Sequence, residues 1–192
     1  MPQVPKFVAL LRGINVGKAK RIPMAELRAL LNELGYTGVA TLLNSGNAVF
    51  CAPNGAAAKH ASEISAAIAR KLQMEVPVVV KSAKELTAIV SENALAKHAP
   101  EHSRLLVAFV QDAQALPELA AVERLAVPPE EFLLGSGAAY LHCVSGILES
   151  KAGEALLGKA GKSATTRNWA TVLKLQALVS EAGARVAPNL DI

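Results

Sequence analysis

The stretch LRGINVGKAKR, residues 11–21, ends an apolar run in Arg12, sets Gly13 and Gly17 around Asn15, and then crowds Lys18, Lys20 and Arg21 together. Glycines beside cations are the raw material of a loop that cradles phosphate. It is not a Walker A loop, which needs four residues between its glycines and a hydroxyl after its lysine. Here Ile14, Asn15 and Val16 separate the glycines and Ala19 follows Lys18. The third glycine of a dinucleotide fingerprint is missing as well, so nucleotide hydrolysis by a P-loop is excluded. What remains is a junction between a strand's carboxyl end and a helix's amino end, where free N–H groups and the helix dipole favour anions. No Ser, Thr, Asp or Asn stands directly before Pro23 to cap that helix. A cluster of cations there is unfavourable unless a carboxylate or a bound anion compensates.

Two further stretches have suitable chemistry. Asn44-Ser45-Gly46-Asn47 is by composition a turn. Its weight comes from topology: in a right-handed β-α-β unit the first two strands are parallel, so both carboxyl ends lie on one rim. Arg12, Asn15, Asn44, Ser45 and Asn47 are thereby drawn towards each other as a donor-rich, acid-free cluster. In TTRNW, residues 165–169, Thr165 or Thr166 is expected to cap a helix, which puts Arg167 in its first turn against the dipole. Trp169 reads as core.

The remaining chemistry-bearing residues form no constellation. His98 and His102 have the spacing of helical metal ligands, but Pro100 lies between them. His60 falls on the polar face of a helix, and His142 beside Cys143 follows sheet packing. No metal or cofactor is called for, and the two cysteines are not spaced for a zinc knuckle. Ser45 or Lys18 would serve as nucleophile or base only if another segment supplied a partner.

The elements that must position these residues follow from periodicity. Lys6–Leu11 reads as a buried strand. Pro23 then opens a helix carrying Met24, Leu27, Leu30, Leu31 and Leu34, closed by Gly35. Strands at Val39–Leu43 and Ala48–Ala52 flank the NSGN turn. A helix with Ile64, Ile68 and Leu72 on one face follows, then a strand at Val76–Lys81. This β-α-β-β-α-β order is that of a ferredoxin-like unit.

Ser82 and Glu85 have capping-box spacing, so a further helix begins there and runs into KHAPEHS, read as a linker. The order then restarts, with a strand at Arg104–Gln111, a helix at Leu116–Ala126 and a hairpin of Glu131–Leu134 with Ala139–Val144. LLNSGNAVF (42–50) and LLGSGAAYL (133–141) agree at five of nine positions. After a weak helix at Glu149–Lys159 and a strong one opened by ATTRNW, only ARVAP is left for a last strand. The expectation is an α+β chain of two ferredoxin-like halves related by internal duplication, each an antiparallel sheet with helices packed on one face. The halves are residues 1–82 and 104–192, joined by a linker helix over 83–103.

With 52% apolar and 19% charged residues among 192, the chain can bury a real core. A formal charge of +4 permits an anionic partner without requiring one. Aromatics at 4% leave little for stacking bases, which disfavours nucleic acid. No window approaches the roughly 20 apolar residues of a membrane span, and no targeting signal is visible, so a cytoplasmic protein is expected.

ALLRGINVG, MAELRALLNELGY, TLLNSGNAVF and TTRNWATVLKL together resemble the bacterial family catalogued as domain of unknown function 1697. The resemblance implies no particular activity, but it adds weight to Arg12–Gly17, Ser45–Asn47 and Thr166–Trp169, the stretches by which the family is recognised. Many relatives have GGK where this chain has Gly17-Lys18, Gln in place of Asn44, and a second Asn at Ala170.

The expected function is binding of an anionic, nucleotide-like or phosphorylated small molecule. Its expected ligands are Arg12, Gly13, Asn15, Gly17, Lys18, Ser45, Gly46 and Asn47, with Thr166, Arg167 and Asn168. The alternatives are an enzyme acting on a phosphorylated metabolite through Ser45 or Lys18, and a structural or partner-binding protein without a small-molecule site.

Overall fold

The computed structural model describes residues 4–17 and 20–180. It is an α+β chain whose contacts divide into two compact units. One runs up to Ala83 and takes up the chain again from Ala177; the other is Lys84–Gln176. The expected linker over 83–103 therefore groups with the second unit almost entirely.

In the first unit β1 (Lys6–Leu11), β2 (Thr37–Leu42), β3 (Asn47–Cys51) and β4 (Val78–Ser82) form an antiparallel sheet in the order β2-β3-β1-β4. Helix α1 (Met24–Glu33) joins β1 to β2 and α2 (Ala57–Leu72) joins β3 to β4. Phe7, Ala9 and Leu11 alternate along β1 and pack with Leu27, Leu30 and Leu31 of α1 and Ile64 and Ile68 of α2. The opposite face is closed too, since Val8, Leu10, Val49 and Val79 are buried. Burial on both faces is why β1 reads as an unbroken apolar run.

Pro23, expected as the first helical residue, is instead the N-cap of α1, with φ −59° and ψ 138°. The helix ends in a paired closure, the Gly35 N–H donating to Asn32 O and the Tyr36 N–H to Leu31 O, with Gly35 at φ 85°.

His60 does not lie on a polar face. It is buried against Phe7, Tyr36 and Phe50, and its Nδ1 lies 2.9 Å from the Tyr36 hydroxyl, which also donates to Glu63 at 3.0 Å. Burial, and then the Glu63 carboxylate, push the Tyr36 phenol above its usual range.

The second unit opens with α3 (Ala83–Glu92, its first residue at the boundary) and two short 3-10 turns, Ala94–Lys97 and His102–Arg104. Strands β5 (Leu105–Val110), β6 (Glu131–Leu134), β7 (Ala138–His142) and β8 (Ala164–Asn168) form an antiparallel sheet in the order β6-β7-β5-β8. Between β5 and β6 the expected α-helix is a 3-10 run, Ala113–Leu125. Pro117 inside it supplies no backbone donor for an α-helical ladder. Helix α4 is Lys151–Leu157 and α5 is Trp169–Ser180. The suggested ARVAP strand lies outside the described residues. Among those residues no helix is long and apolar enough to cross a membrane.

The largest departure is β8. TTRN is not the start of a helix: Ala164–Asn168 pairs with β5 from Leu106↔Asn168 to Val110↔Ala164. The helix begins one residue later, and its N-cap bond comes from Asn168, whose Oδ1 accepts from the Thr171 N–H at 2.9 Å. Thr165 and Thr166 are strand residues, in keeping with their β-branched side chains.

The hairpin turn of the second unit is held by one carboxylate. Glu92 Oε2 accepts from the Ser136 N–H at 3.1 Å and the Ser136 hydroxyl at 2.6 Å, while Oε1 accepts from the Gly137 N–H at 3.3 Å. The buried Tyr140 hydroxyl lies 2.7 Å from both Oε1 and Ile89 O. Burial alone would raise the Glu92 carboxyl; the hydrogen bonds from Ser136, Tyr140 and Gly137 outweigh it and hold the group below its usual range. Such a carboxylate contributes its full stability above the unfolded-state value and loses it as pH falls through the folded-state value. Glu92→Gln should cost about 1–2 kcal/mol at neutral pH, a modest figure because the group is only half-buried. In urea melts the gap between wild type and variant should narrow as the pH is lowered.

Candidate anion-binding rim

Strands β1 and β2 both run antiparallel to β3, so their carboxyl ends, Leu11 and Leu42, share one rim. The loop after β1 and the turn after β2 meet there. The Leu11 N–H donates to Gly46 O at 2.8 Å, and the Arg12 N–H donates to Pro77 O at 2.9 Å.

Asn15 makes the decisive contacts. Its Oδ1 accepts from the Ile22 N–H at 2.9 Å, and its Nδ2 donates to Ile22 O at 2.9 Å and to Asn44 O at 2.6 Å. The side-chain amide thus imitates a strand residue, closing the loop on itself and tying it to the hairpin turn. The backbone adapts: Asn15 sits at φ 56°, a region that asparagine tolerates better than most residues. Its own N–H reaches Lys20 O at 3.1 Å.

Asn47 is fully buried, and its Nδ2 donates to Leu42 O and to Ser45 Oγ, each at 2.9 Å. Gly46, at φ 78°, is pressed against the loop. A Cβ there would stand 2.8 Å from Leu11 Cβ and 2.8 Å from Ile14 Cδ1.

Of the expected ligand residues, Arg12, Gly13, Asn15, Gly17, Ser45, Gly46 and Asn47 are brought to this rim. Lys18 lies outside the described residues. The amides of Asn15 and Asn47 donate to the protein's own backbone and, for Asn47, to Ser45. The cations are positioned as well. Lys20 Nζ donates to Glu75 O at 2.7 Å, and Arg21 Nη2 donates to Gly17 O at 3.0 Å. At the adjoining helix, α1 has no side-chain cap, and Glu26 is the one acidic residue in its first turn. That carboxylate meets part of the dipole mismatch anticipated from the sequence.

Thr166, Arg167 and Asn168 belong to the second unit. Arg167 is in mid-strand opposite Val107, nine-tenths buried, and its Nη1 donates to Thr165 Oγ1 at 3.1 Å and to Thr166 O at 2.9 Å. Burial pushes its guanidinium down to about 10. The first sheet has a counterpart that sequence reading overlooked. Lys81 of β4 is buried opposite Val8, the third residue of β1, as Arg167 is opposite the third residue of β5. The signal was present as a lone cation inside each edge strand, VVVKS and ATTRN.

Among known proteins, the profile of the family described as "Protein of unknown function (DUF1697)" matches residues 4–140. A solved structure described as conserved bacterial protein SP0830 from Streptococcus pneumoniae aligns with a TM-score of 0.78. It is 22% identical and covers 93% of this chain and 100% of its own. That likeness shows the same fold. No curated protein matches the chain.

The clasp between turn and loop predicts a specific weakness. Gly46→Ala combines an unfavourable backbone conformation with a clash against Leu11 and Ile14, and should destabilise the chain by about 2–4 kcal/mol in urea unfolding.

Proposed function

This chain belongs to the DUF1697 family of proteins of unknown function, and we propose that its first unit binds a small anionic molecule, nucleotide-like or phosphorylated, at the rim of Arg12–Lys18 and Ser45–Asn47. The observation that carries the reading is the Asn15 bridge. Two hydrogen bonds of one amide close a glycine-containing, cation-bearing loop on Ile22, and a third ties it to the turn at Asn44, at the amino end of a helix without a side-chain cap. A preorganised loop of this kind spares a ligand much of the ordering cost of binding.

In this reading Arg12 supplies charge, and Gly13 and Gly17 leave room for close backbone approach. Asn15, Gly46 and Asn47 hold the frame. The contact that Asn47 makes with Ser45 is a donor on the hydroxyl oxygen, which positions Ser45 in the turn. Thr166–Asn168 are assigned to the architecture of the second sheet. We take the two units as ferredoxin-like halves of a duplication, a view supported by their common strand order and by the matched positions of Lys81 and Arg167.

The test is a thermal-shift titration of wild type and Arg12→Ala with inorganic phosphate, a nucleoside monophosphate and a sugar phosphate, at low and moderate salt. A ligand at 100 times its dissociation constant stabilises by about 2.7 kcal/mol. Wild type should show such a shift, weakened by salt, and Arg12→Ala should lose it while remaining folded. No shift with any of these compounds, or an equal shift in the variant, would remove the proposal.

A further inference from the structure

The second unit contains a cleft of about 360 Å³ that none of the recognised motifs touches. Its polar lining is His98, Glu101, Arg104, Glu131 and His142; Pro100, Pro129 and Val144 are apolar walls. His142 is the informative residue. It lies on β7 in direct register with Glu131 of β6, is 7% exposed, and lines the cleft. An imidazole at the wall of a cleft can donate to or accept from a molecule that enters it.

The charges around it indicate the kind of partner. Arg104 is engaged: its Nε lies 2.8 Å from Glu101, and its Nη1 donates to Val144 O. Glu131 faces only the His98 imidazole, at 3.5 Å. The cleft thus offers a carboxylate without a permanent counter-charge and an imidazole with acceptor capacity, beside two proline rings and a valine. No three metal-binding side chains converge there or elsewhere among the described residues, so a metal ion does not fit.

We propose that this cleft binds a small organic amine or amidine. Its N–H groups donate to Glu131 and His142, and its apolar body lies against Pro100, Pro129 and Val144. The recognition is opposite in sign to that of the rim in the first unit, so the two sites are tested by different ligands.

Benzamidine and benzoate share a ring and differ in the polarity of the group they present, which makes them the probes. Titrated into the full chain and followed calorimetrically and by the histidine NMR signals, benzamidine should bind saturably and shift His142, whereas benzoate should not bind. Glu131→Gln, at an exposed position with little influence on folding, should weaken benzamidine about tenfold or more, and His142→Leu should do the same if it folds. Equal binding of benzoate, retained affinity in Glu131→Gln, or no benzamidine binding at millimolar concentration would each overturn the proposal.

Discussion

The side-chain amide of Asn15 is the interaction on which the first unit's rim depends. A loop of glycines and cations would be a poor binding surface if left to fluctuate, because a ligand would have to order it. Asn15 resolves this by acting as an extra strand residue: it exchanges both hydrogen bonds with Ile22 and uses its second N–H to reach Asn44 O. Gly46 completes the junction by leaving space where a Cβ would meet Leu11 and Ile14. The cations are then displayed from a fixed backbone.

The two units have the same strand order but secure their hairpin turns differently. In the first, a neutral amide from the preceding loop does it. In the second, the carboxylate of Glu92 collects donors from Ser136, Gly137 and Tyr140. The first clasp is built from neutral groups, whereas the second is built on a charged one. This difference is one reason for proposing an anion site in the first unit. The cleft around His142 follows a separate logic, with the Glu101 and Glu131 carboxylates and the Arg104 guanidinium all in its lining.

Much of this was legible from the chain. β1 matches the apolar run between Pro5 and Arg12, and the meeting of loop and turn follows from strand direction alone. The errors came where local signals compete. Ala164–Asn168 contains Thr and Asn, which favour helix caps, directly before a strong helix, and β-branching at two positions was too short a pattern to prevail. His60 counted as polar in a helical repeat, yet its partner Tyr36 arrives from a different segment and makes burial tolerable. Composition does not reveal that Ile22 and Asn44 take up hydrogen bonds of the Asn15 amide. His98, Glu131 and His142 come from three separate stretches, and no spacing rule links them.

Hydrogen exchange at the Ile22 amide, in wild type and in Asn15→Ala, tests the clasp most directly. The account predicts a protected Ile22 amide in wild type. In the variant that protection should collapse together with that of Leu11, whose partner is Gly46 across the same junction, while amides in the middle of β1 stay slow. An Ile22 amide that exchanges freely in wild type, or a Leu11 amide indifferent to the loss of Asn15, would contradict it.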